Sequence, residues 1–222
     1  MVTINKEKIF TIVSDEGAIS LIKKIIRYLA SLILQVEKLY IFQLELKKSF
    51  PTIKSELDLS FRLAKKEDIE NMNFDYYGFD KKSKKYCLNR LKKGDKCLFA
   101  IYKNEIVGYI WAMNDIIELE GSKSYKLPKN IVYTYNGFVI KKYRGKRIHG
   151  AMYTYLLDLF KKEGKQFVLS GVSSTNKSSL KTKNKERGNY KKIAYLYQIK
   201  IFGKYFVYIK KKDLENILLP RV

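Results

Sequence analysis

The alternation of apolar and polar positions divides the chain into short elements. Apolar residues recur at i, i+3, i+4 and i+7 through Leu21, Ile22, Ile25, Leu29, Leu32, Ile33 and Val36, with Lys23, Lys24 and Arg27 on the other side. That spacing predicts an amphipathic helix from Ala18 to Val36. Lys38 to Leu46, dense in Tyr, Ile, Phe and Leu, predicts a strand. The polar stretch Lys47 to Asp58, with Pro51, reads as a connection. Beyond it come a strand at Leu59 to Leu63, a short helix at Lys65 to Met72 and a helix at Lys81 to Leu91. Cys97 to Lys103 and Ile106 to Asn114 predict a hairpin around Asn104-Glu105. Ile131 to Ile140 reads as a strand, and a helix runs from about Gly150 to Lys162, closed by Gly164. Phe167 to Val172 predicts a strand and Asn176 to Lys185 a short helix. Gly188 marks a turn, before strands near Ala194 to Ile201 and Tyr205 to Lys210. This order predicts a mixed sheet with helices on both faces, α/β or α+β. Residues 1–58 form an N-terminal helix-and-strand extension, and residues 59–222 the main domain.

Composition changes this picture in three ways. The 222 residues are 46% hydrophobic and 14% aromatic, as a globular chain with one sizeable core requires. Cys87, Cys97 and the single histidine, His149, are too few for a disulfide framework or a structural zinc site. No metal is therefore expected, and the expected compartment is the reducing cytoplasm. The polar start, with Lys6, Glu7 and Lys8, has no secretory leader pattern, and charges interrupt Ala18 to Tyr40 too often for a membrane span.

The net charge is +23, yet only seven of the 45 basic residues are arginine. A lysine surplus beside abundant Ile, Asn and Tyr fits AT-rich coding bias. It also fits a preference for polyanions: an acidic membrane, nucleic acid or a phosphorylated substrate. Arginine, the usual reader of bases and phosphates, is scarce, and no helix-turn-helix, zinc or RNP pattern is present, so nucleic acid is not the expected partner. For the N-terminal piece three roles stay open. It packs on the sheet, lies peripherally on an acidic inner membrane face through Lys23, Lys24 and Arg27, or pairs two copies in a homodimer.

The segment that carries chemistry is a strand, then Lys141-Lys-Tyr-Arg-Gly-Lys-Arg-Ile-His-Gly-Ala-Met152, then a helix. Backbone N–H groups at a helix start have no intrahelical acceptor, and the helix dipole adds positive charge, so the place suits a pyrophosphate. Gly145 allows a tight turn and Gly150 a close approach, while Arg144, Lys146 and Arg147 supply counter-charge. A solvated basic turn is the other reading of the same residues.

Tyr143-Arg-Gly145, with Ile148 at an aliphatic position, resembles the pyrophosphate loop of the GNAT superfamily of N-acetyltransferases. Arg147 and His149 stand where that family usually has glycines. Leu59 to Ala64 with Glu67-Asp68-Ile69 resembles the family's first strand and helix. Cys97 to Tyr109 is similar to its central hairpin, and Val172 to Ser179, with Asn176, Ser179 and Leu180, to its fifth strand and following helix. The likeness covers roughly residues 59 to 210. It implies a mixed, mostly antiparallel sheet flanked by helices, with acetyl-CoA or another acyl-CoA as donor substrate in a V between Ile131–Ile140 and Phe167–Val172.

The resemblance implies that backbone near Phe138 and Val139 pairs with the pantetheine arm, and that Asn176 lies beside it; core packing and an N-cap are the alternatives. It implies that Arg144, Gly145, Lys146, Arg147, Ile148, His149 and Gly150 hold the pyrophosphate. The reaction implied is direct attack of an amine on the thioester, without a covalent enzyme intermediate. Relatives often carry a glutamate base on the fourth strand, but Tyr133 to Phe138 holds no acid. Tyr135 is the candidate catalytic proton relay, with packing as the alternative, and Asp115, Glu118 and Glu120 either reach the acceptor cleft or, the favoured reading, form a solvated loop. Lys183 stands where relatives place a thiolate-protonating tyrosine, either to donate a proton or to bind cofactor phosphates. His149 is expected to have a lowered pKa in its positive surroundings, with a structural or phosphate-side role. The expected acceptor is a small-molecule or sugar amine, and the N-terminal extension suggests a bacterial surface-polysaccharide type of relative.

Overall fold

The protein is described by a computed structural model. It describes residues 19, 20, 22, 23, 34–73, 83–118, 124–184, 190–202, 204–210, 219 and 220. Most of the predicted helix at Ala18 to Val36, the Gly188 turn and Glu120 lie outside these residues.

The first strand, β1, spans Leu34–Glu45, so Leu34 to Val36 extend a strand instead of ending a helix. β2 (Ser60–Leu63) leads to α1 (Lys66–Asn71) and α2 (Ser83–Lys92). β3 (Lys96–Tyr102) and β4 (Glu105–Met113) form the predicted hairpin. Its two turn residues are Lys103 and Asn104, with φ of 48° and 63°. A tight two-residue hairpin needs two left-handed positions, and asparagine fills one at low cost. Glu105 therefore pairs with Tyr102, one residue off the expected turn. A small three-stranded sheet that the periodicity does not reveal joins β5 (Ile116–Glu118), β6 (Ser124–Lys126) and β11 (Leu219–Pro220).

β7 (Ile131–Val139) precedes α3 (Ile148–Lys162), and β8 (Phe167–Ser173) precedes α4 (Lys177–Asn184). β9 (Tyr190–Ile201) and β10 (Lys204–Lys210) follow. The main sheet runs β10-β9-β1-β8-β7-β4-β3-β2. Of its neighbouring pairs only β7 and β8 are parallel, so the expected mixed, mostly antiparallel sheet is present. The N-terminal strand is not laid against this sheet. β1 lies within it, antiparallel to β8 on one side and β9 on the other, and residues on both sides of position 58 share one ladder system.

Two layers cover the sheet. α3 lays Ile148, Met152, Leu156, Leu157 and Phe160 on Leu44, Leu98, Ala100, Val107, Ile110, Val132 and Val168. Spacings of four and three place that apolar stripe on one helix face. Gly164, at φ 76°, ends the helix, with Lys165 N donating to Phe160 O at 2.9 Å, as a left-handed glycine cap does. On the opposite face Ile69 of α1 and Cys87 of α2 pack with Cys97, Phe99, Tyr109, Trp111 and Ile140. Both cysteines are buried free thiols, and burial raises their pKa values, so they serve as packing residues.

Because β1 is an interior strand, its inward residues carry stability for the whole sheet. Leu44→Ala, at a position 1% exposed, is expected to cost about 2–5 kcal/mol in denaturant unfolding. Val36→Ala, at 57% exposure, should stay within about 0.5 kcal/mol of the parent. Equal, small effects would mean that β1 is not part of the folded core.

Candidate functional site

The parallel ladder between β7 and β8 covers Ile131 to Thr134 against Phe167 to Ser170. Beyond Thr134 and Ser170 the strands separate. β8 continues to pair with β1 on its far side, as Tyr40 with Val172 and Leu39 with Ser173. β7 continues along β4, through a bulge in which Asn136 and Gly137 lie opposite Ile110. Asn136 adopts φ of 52°, a left-handed conformation that asparagine tolerates. The result is a V that opens from a vertex at Thr134 and Ser170.

Strand geometry determines which backbone groups face the V. Ile140 N donates to Val107 O on β4 at 3.0 Å, so the preceding residue, Val139, turns its N–H and C=O toward the open side. The Val139 carbonyl accepts from Arg144 Nε at 3.0 Å, and the Arg144 guanidinium lies 5.8 Å from the Phe138 ring centre.

After β7 the chain makes one 3₁₀ turn at Lys141–Tyr143. Glu105 fixes that turn, accepting from Tyr143 Oη at 2.8 Å and Lys142 Nζ at 3.0 Å. Gly145 (φ 85°) and Arg147 (φ 59°) are both left-handed, and α3 begins at Ile148. The first helical bond runs from Ala151 N to Arg147 O, so the N–H groups of Ile148, His149 and Gly150 have no intrahelical acceptor. Arg147 thus adopts a conformation that a glycine would take more cheaply, at a cost of about 1–2 kcal/mol. A cavity of about 450 Å³ lies between this loop and the end of β7.

Eight of the ten residues expected at the cofactor site line this cavity: Phe138, Val139, Arg144, Gly145, Arg147, Ile148, His149 and Gly150. The remaining two, Lys146 and Asn176, do not. The Lys146 carbonyl faces the connection ahead of β2, where Ser55 Oγ (3.1 Å) and Glu56 N (3.2 Å) donate to it. Asn176 caps α4, its Oδ1 accepting from Ser179 N at 3.0 Å. The connection is thus a strap along the back of the loop: Ile53 N donates to Thr154 Oγ1 at 3.2 Å, and its side chain packs on Gly150. The close approach at Gly150 is made by Ile53, since a Cβ there would sit 2.7 Å from Ile53 Cγ2.

Tyr135 does not line the cavity. Odd-numbered β7 residues before the bulge face away from α3, and Tyr135 Oη hydrogen-bonds Asp95 Oδ2 at 3.3 Å beside Arg90. Arg90 and Asp95 form a buried ion pair, and burial, with the neighbouring Asp95 charge, pushes the Tyr135 phenol far up. A proton relay at Tyr135 therefore has to pass through that ion pair. Asp115 is exposed, and the side chain of Glu118 lies outside the described residues. Among the described residues no cluster of His, Cys, Asp and Glu could hold a metal ion.

Sequence reasoning missed a polar group at the vertex itself. On the α3 side, Thr134 Oγ1 donates to Leu169 O at 3.2 Å and also hydrogen-bonds Tyr153. Lys183 Nζ donates to Tyr153 Oη at 3.3 Å and lies 3.7 Å from the centre of the Tyr190 ring. Tyr190 hydrogen-bonds Tyr153 in turn. Burial lowers the Lys183 pKa, partly countered by Tyr153. For Tyr153 burial acts upward, but Lys183 and the hydrogen bonds from its neighbours outweigh it and bring the phenol down. His149, one turn before Tyr153, stacks on it at 6.4 Å, lies against Gly137 through Nε2 and lines the cavity, where the residue as a whole stays exposed. Its pKa falls from 6.5 to about 4, first through desolvation and then through the Lys183 charge. Of this group the sequence had marked Lys183 and His149, and the i, i+4 spacing of His149 and Tyr153 was a further signal for Tyr153.

The sequence model of the acetyltransferase (GNAT) family matches residues 63–188, more than half of the chain. Among solved structures, a Drosophila protein aligns over 85% of this chain and 59% of its own length, at 15% identity and a TM-score of 0.55. A GCN5-related N-acetyltransferase from Sphaerobacter thermophilus aligns over 84% of this chain and 57% of its own, at 12% identity and a TM-score of 0.54. A functionally unknown conserved protein from Staphylococcus epidermidis aligns over 82% and 66%, at 14% identity and a TM-score of 0.49. The chain thus spans less than two thirds of each of these proteins, and at such identities the likeness to the first two shows the fold alone. No curated protein sequence matches the chain. No helix among the described residues is long and apolar enough to cross a membrane.

Two predictions follow from the packing and charge of the loop. Gly150→Ala should destabilise the protein by about 1–3 kcal/mol through overpacking on Ile53. In an Ile53→Ala background the same change should instead stabilise by up to about 1 kcal/mol, as alanine does in a helix. The same sign in both backgrounds would contradict the contact. The lowered His149 pKa means that the unfolded chain binds protons more readily than the folded one. Stability from this group is complete above pH 6.5 and falls as pH drops toward 4. His149→Asn should flatten that part of a stability-versus-pH curve, and an unchanged slope would place the titration elsewhere.

Proposed function

Since the chain belongs to the acetyltransferase (GNAT) family, we propose that it is an acyl-CoA-dependent N-acyltransferase, with acetyl as the expected acyl group and a small-molecule or sugar amine as acceptor. The observation that carries this reading is the open V between β7 and β8, flanked by a basic loop at a helix start.

The residues fit such a donor. Ile148, His149 and Gly150 line the cavity, their N–H groups lack intrahelical acceptors, and the positive end of α3 lies there, which supports an anion site. Arg144 and Arg147 add charge beside it, and their guanidinium groups can bind phosphate bidentately. The free edge of β7 at Val139 offers a donor and an acceptor to an extended amide chain, which would pair there as an added strand. Arg144 Nε occupies the Val139 carbonyl and would have to release it when such a chain pairs. Arg147 stands where the resemblance has a small residue, and it takes the left-handed conformation that a glycine there would allow. Chemistry then consists of holding an amine against the thioester carbonyl, removing a proton from nitrogen and returning one to sulfur.

Isothermal calorimetry with acetyl-CoA tests the reading. One molecule should bind per chain, and Arg144→Ala should weaken it about tenfold, as loss of one charged hydrogen bond does. CoA release should then appear when an amine panel is added. Folded protein that shows no heat with acetyl-CoA at high concentration would overturn the proposal. Binding without release to any amine would favour a non-catalytic acyl-CoA-binding module.

A further inference from the structure

β1, β9 and β10 run on past the end of β8. β8 pairs with β1 only from Leu39 onward, so Leu34 to Lys38, Tyr197 to Ile201 and Lys204 to Tyr208 project together as a three-stranded arm. Residues directly opposite one another in antiparallel strands share a face, so the register sorts the arm's side chains. One face carries Leu34 with Ile201, then Val36 with Ile199 and Phe206, then Lys38 with Tyr197 and Tyr208. Leu44, on the same alternation of β1, lies under α3, so this is the α3 side of the sheet. The other face carries Gln35, Glu37, Gln198 and Lys200, with Val207 joining the apolar cluster around Ile41 and Leu196. The arm is therefore amphipathic, and its apolar face is open: Leu34, Val36, Ile201 and Tyr208 are exposed, and Phe206 is 51% exposed.

At the tip, Ile201 pairs with Lys204 across a tight turn that begins with Phe202. Phe202 is 77% exposed there, at φ of 46°. A bulky residue takes that left-handed conformation at a cost, and asparagine or glycine would take it cheaply. Neither the turn nor the packing of the described residues calls for a phenylalanine. Behind it polarity changes in order along the strands: two apolar rows edged by Lys204, then tyrosines around a lysine. The Lys38 ammonium lies 4.5 Å from the centre of the Tyr195 ring, 5.1 Å from that of Tyr40 and 5.5 Å from that of Tyr197. Lys192 approaches the Tyr40 ring at 5.0 Å.

A face that pairs two proteins has an apolar centre and a polar rim on all sides. This one grades along a single axis from apolar to aromatic to cationic. The water-to-lipid boundary has that gradient: tyrosines and lysines sit at headgroup level and apolar side chains go deeper. The two apolar rows span about 7 Å of strand, and an interfacial amphipathic face is buried by about 5–10 Å. Charge favours the same occupant, since at +23 two copies repel each other while an anionic surface attracts the chain. We propose that this arm docks the protein on the anionic surface of a lipid bilayer, with Phe202 entering first and Lys38 and Lys192 at the phosphates. The polar face, with Gln35, Glu37, Gln198 and Lys200, stays in water. The docking surface is separate from the donor cavity, and neither reading depends on the other.

Sedimentation of the full chain with vesicles tests the proposal, using phosphatidylcholine alone and phosphatidylcholine with phosphatidylglycerol in equal parts. The parent should bind the mixed vesicles, more weakly as salt rises, and stay in solution with the neutral ones. Phe202→Asn and Phe206→Ser together should weaken binding about tenfold or more. The fold should survive, because both side chains are exposed and asparagine suits the turn. Lys38→Gln should weaken binding about fivefold at low salt. In Phe202→Trp, brominated acyl chains should quench the new indole, whereas the parent's Trp111, at 2% exposure, should stay bright. A parent that ignores mixed vesicles would overturn the proposal. So would unchanged binding in the Phe202→Asn, Phe206→Ser variant, which would assign the attraction to lysines elsewhere. Sedimentation equilibrium showing a dimer that Phe206→Ser abolishes, without vesicle binding, would give the face to a second copy instead. Phe202→Trp emission already blue-shifted without vesicles would mean that another part of the chain covers the tip, and would overturn the proposal as well.

Discussion

Four residue pairs hold β7 and β8 side by side, and past Thr134 and Ser170 each strand is claimed by its outer neighbour. β8 stays with β1 from Phe167 to Ser173, while β7 stays with β4 and is bent by the bulge at Asn136 and Gly137. Hydrogen-bonding groups left without a ladder must find other partners, because an unpaired buried backbone group is costly. Arg144 meets one of them at Val139. The opening that would admit a ligand therefore depends on both outer strands, and β1, from the N-terminal region, is one of the two that hold it apart.

The loop at the mouth of the V is positioned from behind. Ser55 and Glu56 both donate to the Lys146 carbonyl. Because the peptide is planar and trans, a carbonyl turned toward the strap turns the next N–H, that of Arg147, the opposite way. Ile53 packing on Gly150 and the Glu105 contacts to Tyr143 and Lys142 fix the two ends of the same loop. Those contacts hold the loop that carries Arg147 and His149 at both ends and from behind. They also give the residues ahead of β2 a role in the site, although none of them carries chemistry.

Legibility followed the range of the forces involved. The β3–β4 hairpin, α3 with its glycine cap and the strands flanking the loop were readable because their signals are local: alternation, a four-and-three apolar stripe, a turn residue. The place of β1 between β8 and β9 was not readable, since alternation marks a strand without naming its partners. That Tyr135 lies on the face away from α3, beside Asp95 and Arg90, was not readable, since alternation along β7 does not say which of its two faces α3 covers. For Asn176 the structure shows the N-cap that stood as the alternative reading, and at Gly150 the close approach is made by Ile53, a contact too distant in sequence to be read from it. The vertex group joins residues from β7, β8, α3, α4 and β9, and only the folded chain brings Tyr153 to Lys183.

The central claim is that the V and its loop receive the CoA moiety, and hydrogen–deuterium exchange with and without acetyl-CoA tests it most directly. The account predicts slowed exchange at the free edge of β7 around Gly137 to Val139, at the loop and first turn of α3 from Gly145 to Gly150, and at the end of β8 from Gly171 to Ser173, with the rest of the sheet unchanged. Saturating acetyl-CoA that left these segments unprotected, or protected only residues elsewhere, would contradict it.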